Sequence, residues 1–405
     1  MAIADCGGSP ASPSPSPSLT VSPGPTISPS PTLAPTPTPS PTPAPTLVPT
    51  LSPTGTFVAT GSMTQPRMDA TATLLPDGKV LVAGGSVVPV SQVVASAELY
   101  DPSTHKFTRT GSMATARSNA AATLLANGRV LIVGGDGCRN LATCPEPDSL
   151  KSAELYDPTT GRFTPTGSMS EARANATAIL LPDGRVLVLS GGSLLVEVYD
   201  PTTGKFTRAG SLLNQYQDVR ALLLPNGKVL VVGDGLPGLG AEVFDPGSGL
   251  SSSISVPLPS GAVTADIYVE TATLLQDGRV LLQVFDSDSV VNYLITYDSV
   301  TGTFTQSASI DAPVGWIPTA AALLRDGRVF FAGGWIADPP HSGEGYTADS
   351  AGLYDPASGF HLLSSKMIQA RDDLTATALP DGTVLIAGGI TDYQKAFSSA
   401  ELFEP

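Results

Sequence analysis

The chain is expected to be all-β, a seven-bladed β-propeller of four-stranded blades, and three observations lead there. A segment typified by residues 71–85, TATLLPDGKVLVAGG, returns six more times at intervals of roughly fifty residues. Each copy is centred on an Asp-Gly or Asn-Gly pair between apolar runs: Asp77-Gly78, Asn127-Gly128, Asp183-Gly184, Asn226-Gly227, Asp277-Gly278, Asp326-Gly327 and Asp381-Gly382. Five copies are followed by a third signal, AELYDP at 97–102 and at 153–158, VEVYDP at 196–201, AEVFDP at 241–246 and AGLYDP at 351–356. Self-similarity at that period marks a propeller or a solenoid.

The elements follow in order. Asx-Gly between apolar runs is a strong hairpin signal, and a type I′ turn with positive φ at both central residues is expected there. The small-residue run before each pair is strand a, and the Val/Leu/Ile run after it, usually ending in Gly-Gly, is strand b. The Tyr-Asp-Pro segment is strand c, and blade five keeps only Tyr297-Asp298 of it. A Gly-x-Phe unit, as in Gly161-Arg162-Phe163 and Gly204-Lys205-Phe206, opens strand d. The last copy stops at Glu404-Pro405, and its missing continuation stands before the first hairpin as Thr54-Gly55-Thr56-Phe57. The N-terminal strand around Phe57 is therefore expected to complete the last blade beside 399–403, leaving no free edge at the seam.

The Gly-Gly after strand b, the Tyr-Asp-Pro after strand c and the spacing resemble kelch repeats, in the wording common to bacterial kelch-repeat envelope proteins. The resemblance covers 55–405; the kelch tryptophan of strand d is replaced by Phe107, Phe163, Phe206 and Phe304. It implies a propeller used as a binding platform and implies no single activity.

A formal net charge of −15 argues against nucleic acid, which requires a positive footprint. Residues 9–53 are almost wholly Pro, Ser and Thr, a composition that cannot bury enough apolar surface to order itself and reads as a stalk. Residues 1–8 precede it as an anchor or signal remnant, in which Cys6-Gly7-Gly8-Ser9 is similar to the mature start of a bacterial lipoprotein, with Cys6 as the lipidation candidate. Asp5 departs from that pattern, so a secreted stalked domain and a plain cytoplasmic cysteine stay open. The propeller is assigned to 54–405. Cys138 and Cys144, in the long b–c loop of blade two, are candidates for a disulfide in an oxidising compartment, cell surface or secreted; a zinc site has the wrong spacing.

Hairpin a–b and turn c–d lie on one face of such a propeller, and loops b–c and d–a on the other, where functional variation is expected. Aligned on the turn pairs, the position ten before the Asp or Asn reads Arg67, Arg117, Arg173, Tyr216, Ile267, Trp316 and Arg371. Two positions on it reads Asp69, Asn119, Asn175, Asp218, Val269, Pro318 and Asp373. The four arginines have two readings. One is fork-to-carboxylate pairs with the strand c glutamates Glu98, Glu154, Glu197 and Glu401; the other is a basic arc that holds a carboxylate or sulfate. Blades four to six break the pattern. Trp316 and Trp335 are expected to flank one groove, with Tyr216, Tyr268 and Tyr346 and the carboxylates Asp234, Glu270, Asp286, Asp288 and Glu344 on the same side; the alternative has Trp316 plugging a gap between blades.

The reading that follows is a non-catalytic, monomeric binding platform outside the cytoplasm, engaging a protein or glycan through the b–c and d–a loops. It uses no cofactor or metal and touches a membrane only through an N-terminal lipid. The alternative is a carbohydrate-active enzyme using Glu270 with Asp286 or Asp288. Copper oxidases related to kelch proteins need histidine ligands, and His105, His341 and His361 form no cluster in the sequence.

Overall fold

Each Asx-Gly pair closes a hairpin, but with a different turn from the one expected. In the computed structural model, which describes residues 54–405 except 89–91, 138–148, 191, 217, 236–237, 258–266, 311–312, 338–344 and 393–394, Gly78 N donates to Leu75 O at 3.0 Å and Leu75 N to Lys79 O at 2.8 Å. Of the pair only Gly78 has a positive φ, 83°. The loop Pro76-Asp77-Gly78 is thus a type I turn followed by a left-handed glycine, not type I′. Pro76 suits the first central position. The Asp77 carboxylate accepts from the Lys79 amide at 3.1 Å, which explains why Asp or Asn recurs there. All seven hairpins repeat the glycine bond.

The strands form seven four-stranded antiparallel sheets among the described residues. The a strands are Thr71–Leu74, Ala121–Leu124, Ala176–Leu180, Val219–Leu223, Ile267–Leu274, Ala320–Leu323 and Thr375–Ala378. Each lies beside the next and the seventh beside the first, so they ring a central channel. The b strands are covered on both faces, which is why Val80–Ala83, Val130–Val133 and Val384–Ala387 are apolar at every position and wholly buried. The core is accordingly split into slabs between blades. One unites Val80, Val82 and Tyr100 of blade one with Leu385 and Leu402 of blade seven, and another unites Leu81 and Ala83 with Val130, Ile132 and Tyr156 of blade two.

The phenylalanines that stand where kelch repeats carry tryptophan pack on the strand c tyrosines, with centroids of Tyr100 and Phe107 4.9 Å apart and of Tyr156 and Phe163 4.8 Å apart. The Thr56–Ala59 strand pairs antiparallel with Ala400–Glu404, placing Phe57 opposite Phe403. That supplies the fourth strand of blade seven.

The Gly-Gly after strand b has a steric cause. Gly84 and Gly85 have φ of 69° and 96°, and a Cβ on Gly85 would lie 2.7 Å from Met68 O. The chain turns away from strand b there while a d–a connector lies directly on it. Blade five lacks these glycines. Its strand b runs on to Asp286 (Val280–Asp286), and its strand a lengthens to match, at the cost of a register shift between Val269 and Thr271 that leaves Glu270 as a β-bulge. Blade six carries an extra three-stranded sheet of Trp316–Ile317, Trp335–Ala337 and Gly345–Thr347. Among the described residues no helix is long and apolar enough to cross a membrane.

Candidate functional site

The arginines expected around the mouth are inside the wall. Arg67, Arg117, Arg173 and Arg371 are 1–2% exposed, and each forms an ion pair with the strand c glutamate of its blade: Glu98 at 3.1 Å, Glu154 at 3.0 Å, Glu197 at 3.2 Å and Glu401 at 3.0 Å. The basic arc is therefore a correction, since all four guanidiniums are buried against those glutamates. Arg117 shows what they do instead. Its amide donates to Val94 O and its carbonyl accepts from Gly85 N, both in blade one. Its guanidinium donates to Gly134 O, Ser152 O and Glu154, all in blade two. One residue thus staples two blades. Burial pulls the guanidiniums of Arg67, Arg117 and Arg371 below the ordinary arginine range while the paired carboxylates pull them back.

The exceptions fill the same slot with other chemistry. Tyr216 is buried, its carbonyl accepts from Gly192 N of blade three, and its hydroxyl donates to Glu242 of blade four at 3.0 Å. Burial and the Glu242 carboxylate push its phenol well above the usual range. Trp316 is 0% exposed and packs among Leu281, Leu294 and Phe331. Its Nε1 donates to Gly333 O at 2.7 Å, the bond that Arg67 makes to Gly84 O. The groove flanked by two tryptophans is thus a correction: Trp316 plugs the seam between blades five and six. Where the arginine or tyrosine is absent, the glutamate is absent too, Ile295 standing in blade five and Gly352 in blade six. A buried carboxylate without its partner would be strongly destabilising.

What remains on the loop face surrounds the channel mouth. Asp69, Asn119, Asn175 and Asp373 have φ of 53°, 50°, 48° and 49°, a conformation that short Asx side chains tolerate. Asn119 N donates to Asp69 O and Asn175 N to Asn119 O, both at 3.1 Å, so the backbone itself runs as an arc around the opening. Asn175 Nδ2 continues it to Asp218 at 3.3 Å. Asp234 is buried, and its carboxylate accepts from Asp218 N at 2.9 Å.

Glu270 is a carboxyl displaced from its ordinary state. Glu270 is half-buried, and desolvation pushes its pKa up to about 6. Arg220 acts in the opposite direction, and Asp372, Asp218 and Asp234 reinforce the rise. Arg220, Asp218 and Asp234 belong to blade four and Asp372 to blade seven. Arg220 Nε donates to the Glu270 backbone oxygen at 3.0 Å and crosses the seam between blades four and five. Asp372 is held by Thr319 Oγ1 at 2.9 Å. Tyr268, two residues before Glu270, is 40% exposed, and Tyr346 on the blade-six sheet is 57% exposed. Trp335 is half-buried, its ring lying against Gly345. Asp286 is fully buried, its carboxylate accepting from Asp288 N at 3.1 Å. Cys6, Cys138, Cys144, His341 and Glu344 lie outside the described residues.

Arg220 and Asp372 were not singled out from the sequence. Arg220 did leave a signal: six before the turn pair the blades read Thr71, Ala121, Thr177, Arg220, Thr271, Ala320 and Thr375, so it is the one charged residue in that column. Grooves of about 690 and 420 Å³ open between hairpin tips on the opposite face, lined by Pro76, Asp77, Arg129 and Asp157, and by Lys79, Asp101 and Pro380. They are built from the repeat itself and follow from blade spacing.

Comparison with known proteins agrees with this architecture. Residues 71–114 match the Kelch motif family model. Among solved structures, a fungal alcohol oxidase of the AA5 family in complex with copper superposes with a TM-score of 0.64 at 16% identity, over 87% of this chain and 76% of that one. A streptogramin B lyase gives 0.59 at 12% identity, over 86% and 97%, and YjhT gives 0.52 at 13%, over 84% and 95%. No curated protein matches the sequence. The chain is a β-propeller with a kelch motif at 71–114; at these identities the neighbours share its fold and nothing more is carried across.

Proposed function

We propose that this propeller is a binding platform outside the cytoplasm that holds a protein or glycan over the channel mouth on its b–c/d–a face. The observation that carries the reading is the β-bulge at Glu270. The bulge falls two residues after the exposed Tyr268, and the Arg220 guanidinium acts on the bulged carboxyl. Bulges re-aim side chains next to functional sites, and a rigid ring presents them without an ordering cost on binding. The Pro/Ser/Thr composition of 9–53 supports a tethered placement, with Cys6 as the anchor point. The test is a panel of immobilised glycans and peptides probed with the full chain. A probe retained by the wild type, lost with Tyr268→Ala and kept with Arg129→Ala on the hairpin face supports the platform; the reverse pattern puts the site in the hairpin grooves.

One observation favours a second reading, a carbohydrate-active enzyme. A carboxyl that titrates near 6 is suited to general acid chemistry at neutral pH. Glycan turnover by the wild type, abolished by Glu270→Gln, would establish it.

A further inference from the structure

Several neighbouring blades are locked at their outer edge by a Thr-Gly pair that follows strand d. Gly61, Gly111 and Gly167 each donate an amide to a carbonyl in the c–d turn of the next blade, to His105 O at 3.0 Å, Gly161 O at 2.9 Å and Gly204 O at 3.0 Å. A Cβ on any of the three would collide with that carbonyl oxygen, so only glycine fits. The threonine before each, Thr60, Thr110 or Thr166, hydrogen-bonds the strand c tyrosine of the next blade, Tyr100, Tyr156 or Tyr199, at 2.8 Å. At the same place blade five reads Ser307-Ala308. Ala308 carries a Cβ and stays in its own sheet opposite Leu294, and Ser307 Oγ turns to Thr296 Oγ1 of the same blade at 2.9 Å.

The seam between blades five and six is open as a result. A Cβ on Gly359, in the c–d turn of blade six, would meet nothing within 4 Å, whereas one on Gly161 or Gly204 would meet the neighbour's threonine at 3.1 Å. A groove of about 630 Å³ opens there, lined by Thr296, Thr303, Thr305 and Ser307 of blade five, by Arg279 of its hairpin and by Tyr354 and the c–d turn of blade six. Tyr354 is 2% exposed, and among the described residues no group hydrogen-bonds the hydroxyl that Tyr156 and Tyr199 give to a threonine. The four–five seam also lacks the lock, but there Ile254 takes the threonine's place and packs on the apolar slab that holds Tyr297.

The lining defines the guest. Arg279 is paired with Asp277 at 2.7 Å, and Asp298 accepts from the amides of Val300 and Thr301, so both charges at the groove are already engaged. What the groove presents is a set of hydroxyls, each able to donate and to accept. An apolar guest would strip water from them without repaying the hydrogen bonds. A sugar, whose hydroxyls also donate and accept, can pair with them, and the volume lies within the range of about 300–1,000 Å³ that small-molecule pockets occupy. We infer that the seam between blades five and six binds a neutral saccharide, with the Tyr354 hydroxyl bonded to a sugar hydroxyl where the other blades supply a threonine. The site is separate from the loop-face platform proposed above and does not rest on it.

The test presents the full chain with immobilised neutral oligosaccharides of glucose, mannose, galactose and N-acetylglucosamine, and calorimetry then gives the affinity of each one retained. The wild type retains at least one of them. Tyr354→Phe, which removes only the hydroxyl, weakens it by about fivefold or more, while Tyr199→Phe, the same change at a locked seam, shifts affinity less than about twofold. Ser307→Thr together with Ala308→Gly restores the Thr-Gly pair and closes the groove, so retention is lost without a fall in melting temperature. Cooperative unfolding of each variant shows that it is folded. Retention of no neutral oligosaccharide, or equal affinity of the wild type and the restored seam, overturns the saccharide groove. Retention lost with Tyr268→Ala but untouched by Tyr354→Phe overturns it too, yet keeps the loop-face platform. Retention lost with Tyr354→Phe and kept with Tyr268→Ala supports the groove, whatever becomes of the platform.

Discussion

Glu270→Gln should make the protein more stable, and the gain should depend on pH. The carboxyl titrates at about 6 in the folded chain against an ordinary 4.5, chiefly because burial disfavours its charged form. Between those values the folded state holds a proton that the unfolded state has released, so wild-type stability falls as pH rises through the window and is flat above it. The interval from 4.5 to about 6, at ~1.36 kcal/mol per pH unit, amounts to about 2 kcal/mol. Glutamine keeps the shape and carries no charge at either pH, while carboxylates remote from Glu270 titrate alike in both proteins and cancel in the difference. Urea unfolding at about pH 4 and about pH 7.5 reads it: the advantage of Glu270→Gln over wild type should grow by about 2 kcal/mol between the two. An advantage identical at both pH values would refute the idea that Glu270 is a desolvated carboxyl facing like charges.

Two further expectations concern the wall. Arg117→Met should cost about 3–5 kcal/mol in urea unfolding, because Glu154 stays buried without its partner, and adding Glu154→Leu should recover part of that loss, as the apolar pair Ile267 and Ile295 of blade five suggests. Trp316→Ala should cost about 3–5 kcal/mol in urea unfolding, through the cavity left between blades five and six and the unpaired Gly333 carbonyl.

Much of the fold was legible because its causes are local and recur. The Asx-Gly pair answers a backbone demand made seven times, and the Gly-Gly exit and the Tyr-Asp-Pro stop answer demands made in most blades, so repetition raised the signal above single-copy ambiguity. The turn type was misjudged because Asx-Gly satisfies two hairpin geometries, and the proline ahead of it, as at Pro76, favours the type I path. The site was harder to see for a different reason. An arginine column looks the same whether its side chains point into the wall or into the channel, and only the buried glutamates opposite decide. The pairing of losses, Ile267 with Ile295 and Trp316 with Gly352, was readable in the sequence and points to the wall. The bulge at Glu270 was not, because it arises from fitting a lengthened strand a against a strand b that lacks its glycines.

The account separates residues that hold the ring from residues that meet a ligand, and one paired measurement tests that division. Unfolding free energy and retention on the immobilised glycan and peptide panel would be determined for Arg117→Met and Glu270→Gln at about pH 7.5. The account predicts that Arg117→Met loses stability and keeps affinity, whereas Glu270→Gln gains stability and loses affinity. Loss of affinity with Arg117→Met at unchanged stability would contradict it, and would return the arginines to the ligand.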